Sequence, residues 1–294
     1  MSRTRVLVLG ASGMLGSAVV KRFLALESEF EVLASVRGRL PDFLPAELAF
    51  RVDAFSDDAP VLPTADWAFN CIGLIKQRTE ASPEDFRAVN ARFPHRLVAS
   101  CRERGIRLVH VTTDCVFSGR QGGYVETDPH DADDDYGRTK SMGEPEDALC
   151  LRTSVIGEEL LFSRRLGLLE WVRTTPDEPL RGYINHVWNG VTTGQLAEIF
   201  LTVVRNRLFV PGVRHVFSDR VSKHELVRLI VQAYGLGKTV VPVEAPQSID
   251  RTLATVHDLA SRLSIPPIAE QVRKLVSVPD PLRPGGGSGR DRSL

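Results

Sequence analysis

Apolar and polar positions along this chain follow two different pitches. Short runs rich in β-branched, aromatic and leucine residues, at Arg5 to Leu9, Glu31 to Val36, Trp67 to Cys71, Arg107 to Val111 and Leu149 to Thr153, read as strands. Helical patterns separate them, so the first half predicts a doubly wound α/β fold: a parallel sheet with helices on both faces. The best-marked helix opens at Ser82 as N-cap, with Pro83 next and Asp85 three on, and places Phe86, Val89, Phe93 and Leu97 on one face. That face should pack on the sheet.

Beyond Thr153 the regularity loosens. Gly, Pro and charged residues between Thr174 and Gly190 predict loops, and helices are expected to open at Thr192 with Gln195 and at Ser222 with Glu225. No internal repeat is visible. The expected organisation is a nucleotide-binding domain over 1–154, joined by part of 188–206, then a smaller α/β substrate-binding lobe over 155–282. A tail over 283–294, rich in Gly, Arg and Ser, is expected to be disordered.

Composition narrows the class of partner. Lys and Arg total 37 against 37 Asp and Glu over 294 residues, so no net field draws the chain to nucleic acid or to an anionic membrane. Its partner is expected to be a small molecule. No apolar run approaches the roughly 20 residues of a membrane span, and Met1 leads into polar residues and then a strand, so a cytoplasmic location is expected. Cys71, Cys101, Cys115 and Cys150 lack C-x-x-C spacing and read as reduced thiols, with no metal expected.

Chemistry enters with the glycines. Val6 to Gly16 carries Gly10, Gly13 and Gly16 in G-x-x-G-x-x-G, directly after a strand and at the opening of an amphipathic helix. In that setting the turn and the backbone N–H groups over Ser12, Met14 and Leu15 suit a dinucleotide pyrophosphate, and the context identifies a Rossmann domain. The alternative is a glycine-rich turn that binds nothing. At the end of the second strand an acid would select NAD, but Ala34-Ser35-Val36-Arg37 offers a hydroxyl and a guanidinium. NADPH is therefore expected, with NADH as the second choice, unless Arg37 is only a solvated loop charge. Asp53 is placed to accept from the adenine amino group or, alternatively, to cap a turn. Cys71, Ile72 and Gly73 should run past the cofactor, or form a plain strand-to-loop turn.

Tyr136 and Lys140 make Y-x-x-x-K, one turn apart if the stretch is helical. A surface pair is the default reading of such spacing. Thr113, at the end of a strand 23 positions before Tyr136, shifts the weight to catalysis, because ligands bind at the carboxyl ends of parallel strands. Lys140 is expected to lower the phenol pKa of Tyr136.

These segments resemble the extended short-chain dehydrogenases/reductases, most closely the dTDP-4-dehydrorhamnose reductase family. The resemblance rests on Gly10 to Gly16, Thr112 to Gly119, Tyr136 to Lys140 with Gly143-Glu144, and Leu151 to Ser154. Arg181-Gly182-Tyr183 and Asn185 to Gly190 are similar to relatives that reduce 4-keto-6-deoxy sugars on UDP. The resemblance implies that Tyr136 protonates a sugar carbonyl as NADPH delivers hydride, that Lys140 binds the nicotinamide ribose, and that Thr113 fixes the carbonyl. Substrate contacts are then expected at Lys76, Asp114, Cys115, Val116, Trp188 and Asn189, with Trp188 stacking on a base or sugar or else packing in the lobe. Cys115 departs from the aromatic residue usual in the rhamnose branch. A nucleotide sugar is the implied substrate and a homodimer is compatible with the family. An epimerase or dehydratase using the same three residues, and a non-catalytic NADP-binding regulatory subunit, are the rival readings.

Overall fold

The computed structural model describes residues 3–78, 80–159, 166–176 and 179–277; the tail over 283–294 lies outside the described residues. Its centre is a parallel sheet of seven strands. In chain order six of them are β1 (Thr4–Leu9), β2 (Phe30–Ser35), β3 (Ala49–Phe50), β4 (Trp67–Asn70), β5 (Arg107–Thr113) and β6 (Leu149–Thr153). The seventh, Gly212–His215, lies outside β6, and the sheet runs on through β5, β4, β1, β2 and β3. The strand order turns at β1, between β4 and β2. In an open parallel sheet the crevice at such a point is where ligands bind.

Both faces are covered, which is why the central strands carry continuous apolar runs. One face packs helix α1 (Met14–Leu24) and the Thr193–Arg205 helix, with Phe23, Phe69 and Phe200 in successive contact at ring separations of 5.3 and 4.6 Å. Against the other face lie Val89, Phe93, Leu97 and Cys101 of the helical stretch that begins at Pro83. Ser82 caps that stretch as its sequence predicts: Ser82 Oγ accepts from Asp85 N, and Asp85 Oδ2 accepts from Ser82 N. Its middle, Arg87–Arg92, is wound as a π-helix. Pro94 follows four residues after Asn90 and has no N–H to close the regular bond to the Asn90 carbonyl, which accounts for the irregular turn.

The helix at Thr192 also begins where expected, with Thr192 Oγ1 accepting from Gln195 N, and Ser222 with Glu225 forms a reciprocal capping box. More of the C-terminal half returns to the sheet than 188–206, since Leu208, Val216, Leu259 and Leu263 join the core on the α1 face as well. The smaller lobe packs Ile156, Leu169, Trp188, Leu226, Ile230, Ile268 and Val272 into a separate core. Part of the expected loop between Thr174 and Gly190 is strand. Leu180–Tyr183 pairs with Val240–Val243, and His186–Trp188 lies between Val221–Ser222 and Ile249–Asp250. No described helix is long and apolar enough to cross a membrane.

Candidate active site

At the carboxyl ends of β1, β4 and β5 two cavities of about 420 and 410 Å³ adjoin. They share Ser12, Gly13, Cys71, Ile72, Gly73 and Leu74 as walls, so they form one cleft. One end reaches Ser35 and Arg37; the other reaches Thr113, Tyr136 and Lys140.

The floor of the cleft depends on glycine. Gly10 has φ +89°, a left-handed conformation in which a side chain would be strained. A β-carbon at Gly16 would stand 2.1 Å from the Gly10 carbonyl oxygen, so Gly16 is buried in the contact that brings α1 onto the β1 turn. Gly13 is the N-cap of α1, with no side-chain cap and no acidic residue in the first turn. Those free N–H groups and the helix dipole favour an anion at this end. Ser35 Oγ accepts from Gly10 N at 3.0 Å, so this hydroxyl braces the glycine turn. Arg37 is exposed beside it, its guanidinium 5.2 Å from the Phe55 ring centre, and no acid closes β2. The donor set and the close glycine contacts fit a dinucleotide with a phosphate at the Arg37 end.

Asp53 does not line the cleft. Its carboxylate accepts from Phe55 N at 2.9 Å and caps a turn, the alternative already open to an Asp at a strand end. Cys71, Ile72 and Gly73 do line it, and burial pushes the Cys71 thiol well above its ordinary pKa. Asn90 is a residue that motif reading missed: its side chain accepts from Leu74 N at 2.8 Å and donates to Leu74 O at 2.9 Å, pinning the loop after β4. The signal was present in Pro94, which marks the irregular turn that carries Asn90.

Tyr136 and Lys140 project from the helix Asp135–Met142, whose N-cap Asp134 accepts from Gly137 N. Lys140 Nζ donates to the Val111 carbonyl of β5 at 2.9 Å, which ties this helix to the strand bearing Thr113. Burial pulls the Lys140 ammonium down to about 8, opposed by Glu144 and Cys150. The expected lowering of the Tyr136 pKa is overturned: burial, then Cys115, push the phenol above its ordinary value, and the Thr113 hydroxyl only partly offsets them. Tyr136 therefore stands protonated at neutral pH, the form a proton donor needs. Thr113 Oγ1 accepts from Cys115 N and donates to Asp114 Oδ1, each at 3.2 Å, so the hydroxyl also caps the turn that follows β5.

Of the expected substrate contacts, Lys76, Asp114 and Cys115 line the Tyr136 end of the cleft. Val116, Trp188 and Asn189 do not. Val116 is buried with Phe117, Tyr124 and Leu253. Trp188 is 3% exposed in the core of the lobe, with the Lys223 ammonium 5.1 Å from its ring centre, so packing, not substrate stacking, accounts for it. Asn189 exchanges two hydrogen bonds with the backbone of Leu253, at 2.8 and 2.9 Å, and so fastens two segments of chain. All four cysteines are free thiols, and no cluster of metal-ligating side chains occurs among the described residues.

Similarity to known proteins spans this whole architecture. The family described as RmlD substrate binding domain matches residues 4–261. A probable low-salt glycan biosynthesis reductase of Haloferax volcanii is 33% identical over 265 residues, covering 84% of this chain and 86% of that protein. A dTDP-4-keto-6-deoxy-D-glucose reductase of Streptomyces niveus is 30% identical over 244 residues, covering 79% of each. Among solved structures, a dTDP-4-dehydrorhamnose reductase of Bacillus anthracis in complex with NADP shares the fold, with a TM-score of 0.71 at 17% identity over 94% of this chain and 98% of that one. Because the match begins at β1 and continues through the glycine turn, the Tyr136 helix and most of the smaller lobe, the chain belongs to the RmlD substrate-binding-domain family.

Proposed function

We propose that this chain is an NADPH-dependent reductase of a 4-keto-6-deoxy sugar carried on dTDP or UDP. The observation that carries the reading is the single cleft, in which the glycine turn of β1 lies between the Ser35–Arg37 end and the set Thr113, Tyr136 and Lys140 at the other. Relatives whose names specify reduction of such sugars support the substrate class, and the NADP of the Bacillus anthracis structure supports the cofactor.

NADPH supplies the hydride in this chemistry. The chain's own residues bind, orient and move a proton. The N–H groups at the start of α1 hold the pyrophosphate, and Arg37 pairs with the 2′-phosphate. Lys140 holds the nicotinamide ribose, and Thr113 orients the substrate carbonyl towards Tyr136. The Tyr136 hydroxyl then gives its proton to the carbonyl oxygen as that oxygen becomes an alkoxide. Lys76, at the rim of the same end, meets the substrate diphosphate, and Asp114 with Cys115 meets the sugar. A biosynthetic role of this kind supports a cytoplasmic location.

The test is a panel of 4-keto-6-deoxy sugars on dTDP and on UDP, followed by NADPH oxidation and by mass analysis of the sugar product. Stoichiometric NADPH loss with a product two hydrogens heavier supports the reading. An isomerised or dehydrated product without net NADPH loss contradicts it.

A further inference from the structure

Behind the Tyr136 end of the cleft lies a polar cluster that this chemistry does not use. Its centre is Arg152 on β6, a guanidinium 1% exposed. Arg152 Nη2 donates to Glu144 Oε2 at 2.6 Å and Nε to Glu144 Oε1 at 3.1 Å, a two-pronged pair. The remaining prongs reach His215 Nε2 at 2.8 Å and His130 Nε2 at 2.7 Å. Burial and the Arg152 charge hold both imidazoles below their ordinary pKa, so at neutral pH each presents a lone pair to the guanidinium. Phe117 lies beneath, its ring centre 5.1 Å from the guanidinium carbon.

Each partner is fastened to a different part of the chain. Glu144 Oε1 also accepts from Thr112 Oγ1 at 2.8 Å, next to Thr113 on β5. His130 Nδ1 meets Ser141 Oγ, the neighbour of Lys140, at 2.5 Å. His215 Nδ1 donates to the Ala254 carbonyl at 2.7 Å, next to Thr255, whose hydroxyl donates to Glu126. A buried charge is costly unless its partners are well placed, so such a cluster is a weak source of stability. What it supplies is geometry.

We propose that Arg152 is a positioning residue for the reduction: by gripping Glu144, His130 and His215 together it holds the Thr113 strand end and the Tyr136–Lys140 helix in the spacing that proton delivery needs. This inference rests on the reductase reading for its kinetic consequence. Its effect on Lys140 can be read without any sugar. Lys140 faces Glu144, Cys150 of β6 and His110 of β5. Glu144 is the anion among them, and it keeps the Lys140 ammonium charged to higher pH.

The experiment compares Thr112→Val and Glu144→Gln with the unaltered protein, using melting temperature, NADPH titrations from pH 6 to 10 without sugar, and turnover with dTDP-4-keto-6-deoxyglucose. Thr112→Val keeps shape and leaves the ion pair intact, so it should fold. Its kcat is expected to fall about tenfold with KM and melting temperature nearly unchanged, and its NADPH affinity severalfold, because small misplacements of reacting groups are costly. Glu144→Gln should move the alkaline loss of NADPH binding to lower pH by at least about half a unit. A merely structural Arg152 cluster predicts a lower melting temperature with no effect of Thr112→Val on kcat or NADPH affinity, and that result overturns the proposal, as does an unshifted alkaline limb in Glu144→Gln. If Glu144→Gln does not fold, the Thr112→Val data decide. Should the unaltered protein bind NADPH yet reduce no keto-sugar, the reductase reading fails, while the sugar-free titrations still decide the positioning role.

Discussion

Asn90 and Leu74 are joined by two hydrogen bonds, the Asn90 amide accepting from the Leu74 N–H and donating to the Leu74 carbonyl. The pair sets the path of the chain from β4 past Gly73, where an added β-carbon would lie 3.5 Å from Asn90 Oδ1 and 3.7 Å from Lys140 Nζ. Asn90→Ala leaves both Leu74 groups without their partner in a partly buried place. The expected cost is about 1–3 kcal/mol in stability, with NADPH affinity roughly tenfold weaker. Thermal unfolding and an NADPH titration on the same sample check it; an unchanged affinity would detach this loop from the cofactor.

Arg37 is expected to select the phosphorylated cofactor. Arg37→Ala should weaken NADPH by about 1.5–3 kcal/mol, the range for a charge-assisted hydrogen bond, and leave NADH nearly unaffected. Equal losses in paired titrations of the two cofactors would remove Arg37 from the 2′-phosphate.

Stability should fall as the solution is made acidic, beginning near pH 6.5. Burial lowers the pKa of His110, His130 and His215 in the fold, that of His110 well below the ordinary 6.5. Unfolded, these imidazoles bind protons below about pH 6.5 while the native ones remain neutral, so protons favour the unfolded chain between the two pKa values. The carboxylates with lowered pKa, such as Glu126, add their own loss only at lower pH, through the ordinary carboxylate range. Chemical denaturation at intervals from pH 7.5 to 5 reads the slope. A flat profile would mean that the imidazoles are not held neutral.

Trp188→Ala should damage the fold more than recognition. The side chain fills the core of the smaller lobe, and truncations of this size cost about 3–5 kcal/mol. Trp188→Phe, a milder change, is expected to lower the melting temperature while KM for the nucleotide sugar holds. A raised KM at unchanged stability would restore Trp188 to the substrate site.

Much of this was legible in the sequence, for identifiable reasons. The strands of the first half carry uninterrupted apolar runs because both faces of a parallel sheet are buried, and Ser82 with Pro83 and Asp85 announces its helix through local hydrogen bonding. The glycine turn is local too, and Gly10 with Gly16 shows why the spacing matters. What stayed hidden depends on distant partners. Gly212–His215 is recognisable only beside β6, and Leu180–Tyr183 only against Val240–Val243, 60 residues further along. Trp188 and Asn189 carry the chemistry of ligand contacts, but their surroundings turn one into core and the other into a fastener. Tyr136 erred in the same way: spacing reports the nearness of Lys140, whereas the pKa follows burial.

On the proposed reading, Tyr136 gives the proton in an NADPH-driven reduction. Its most direct test is single-turnover NADPH oxidation by the unaltered protein and by Tyr136→Phe, with a saturating 4-keto-6-deoxy nucleotide sugar and NADPH binding measured in parallel. Removal of the phenolic oxygen should leave NADPH affinity nearly unchanged and slow turnover by roughly 10²–10⁴-fold, the usual contribution of a general acid. Near-normal turnover by Tyr136→Phe would mean that Tyr136 is not the proton donor.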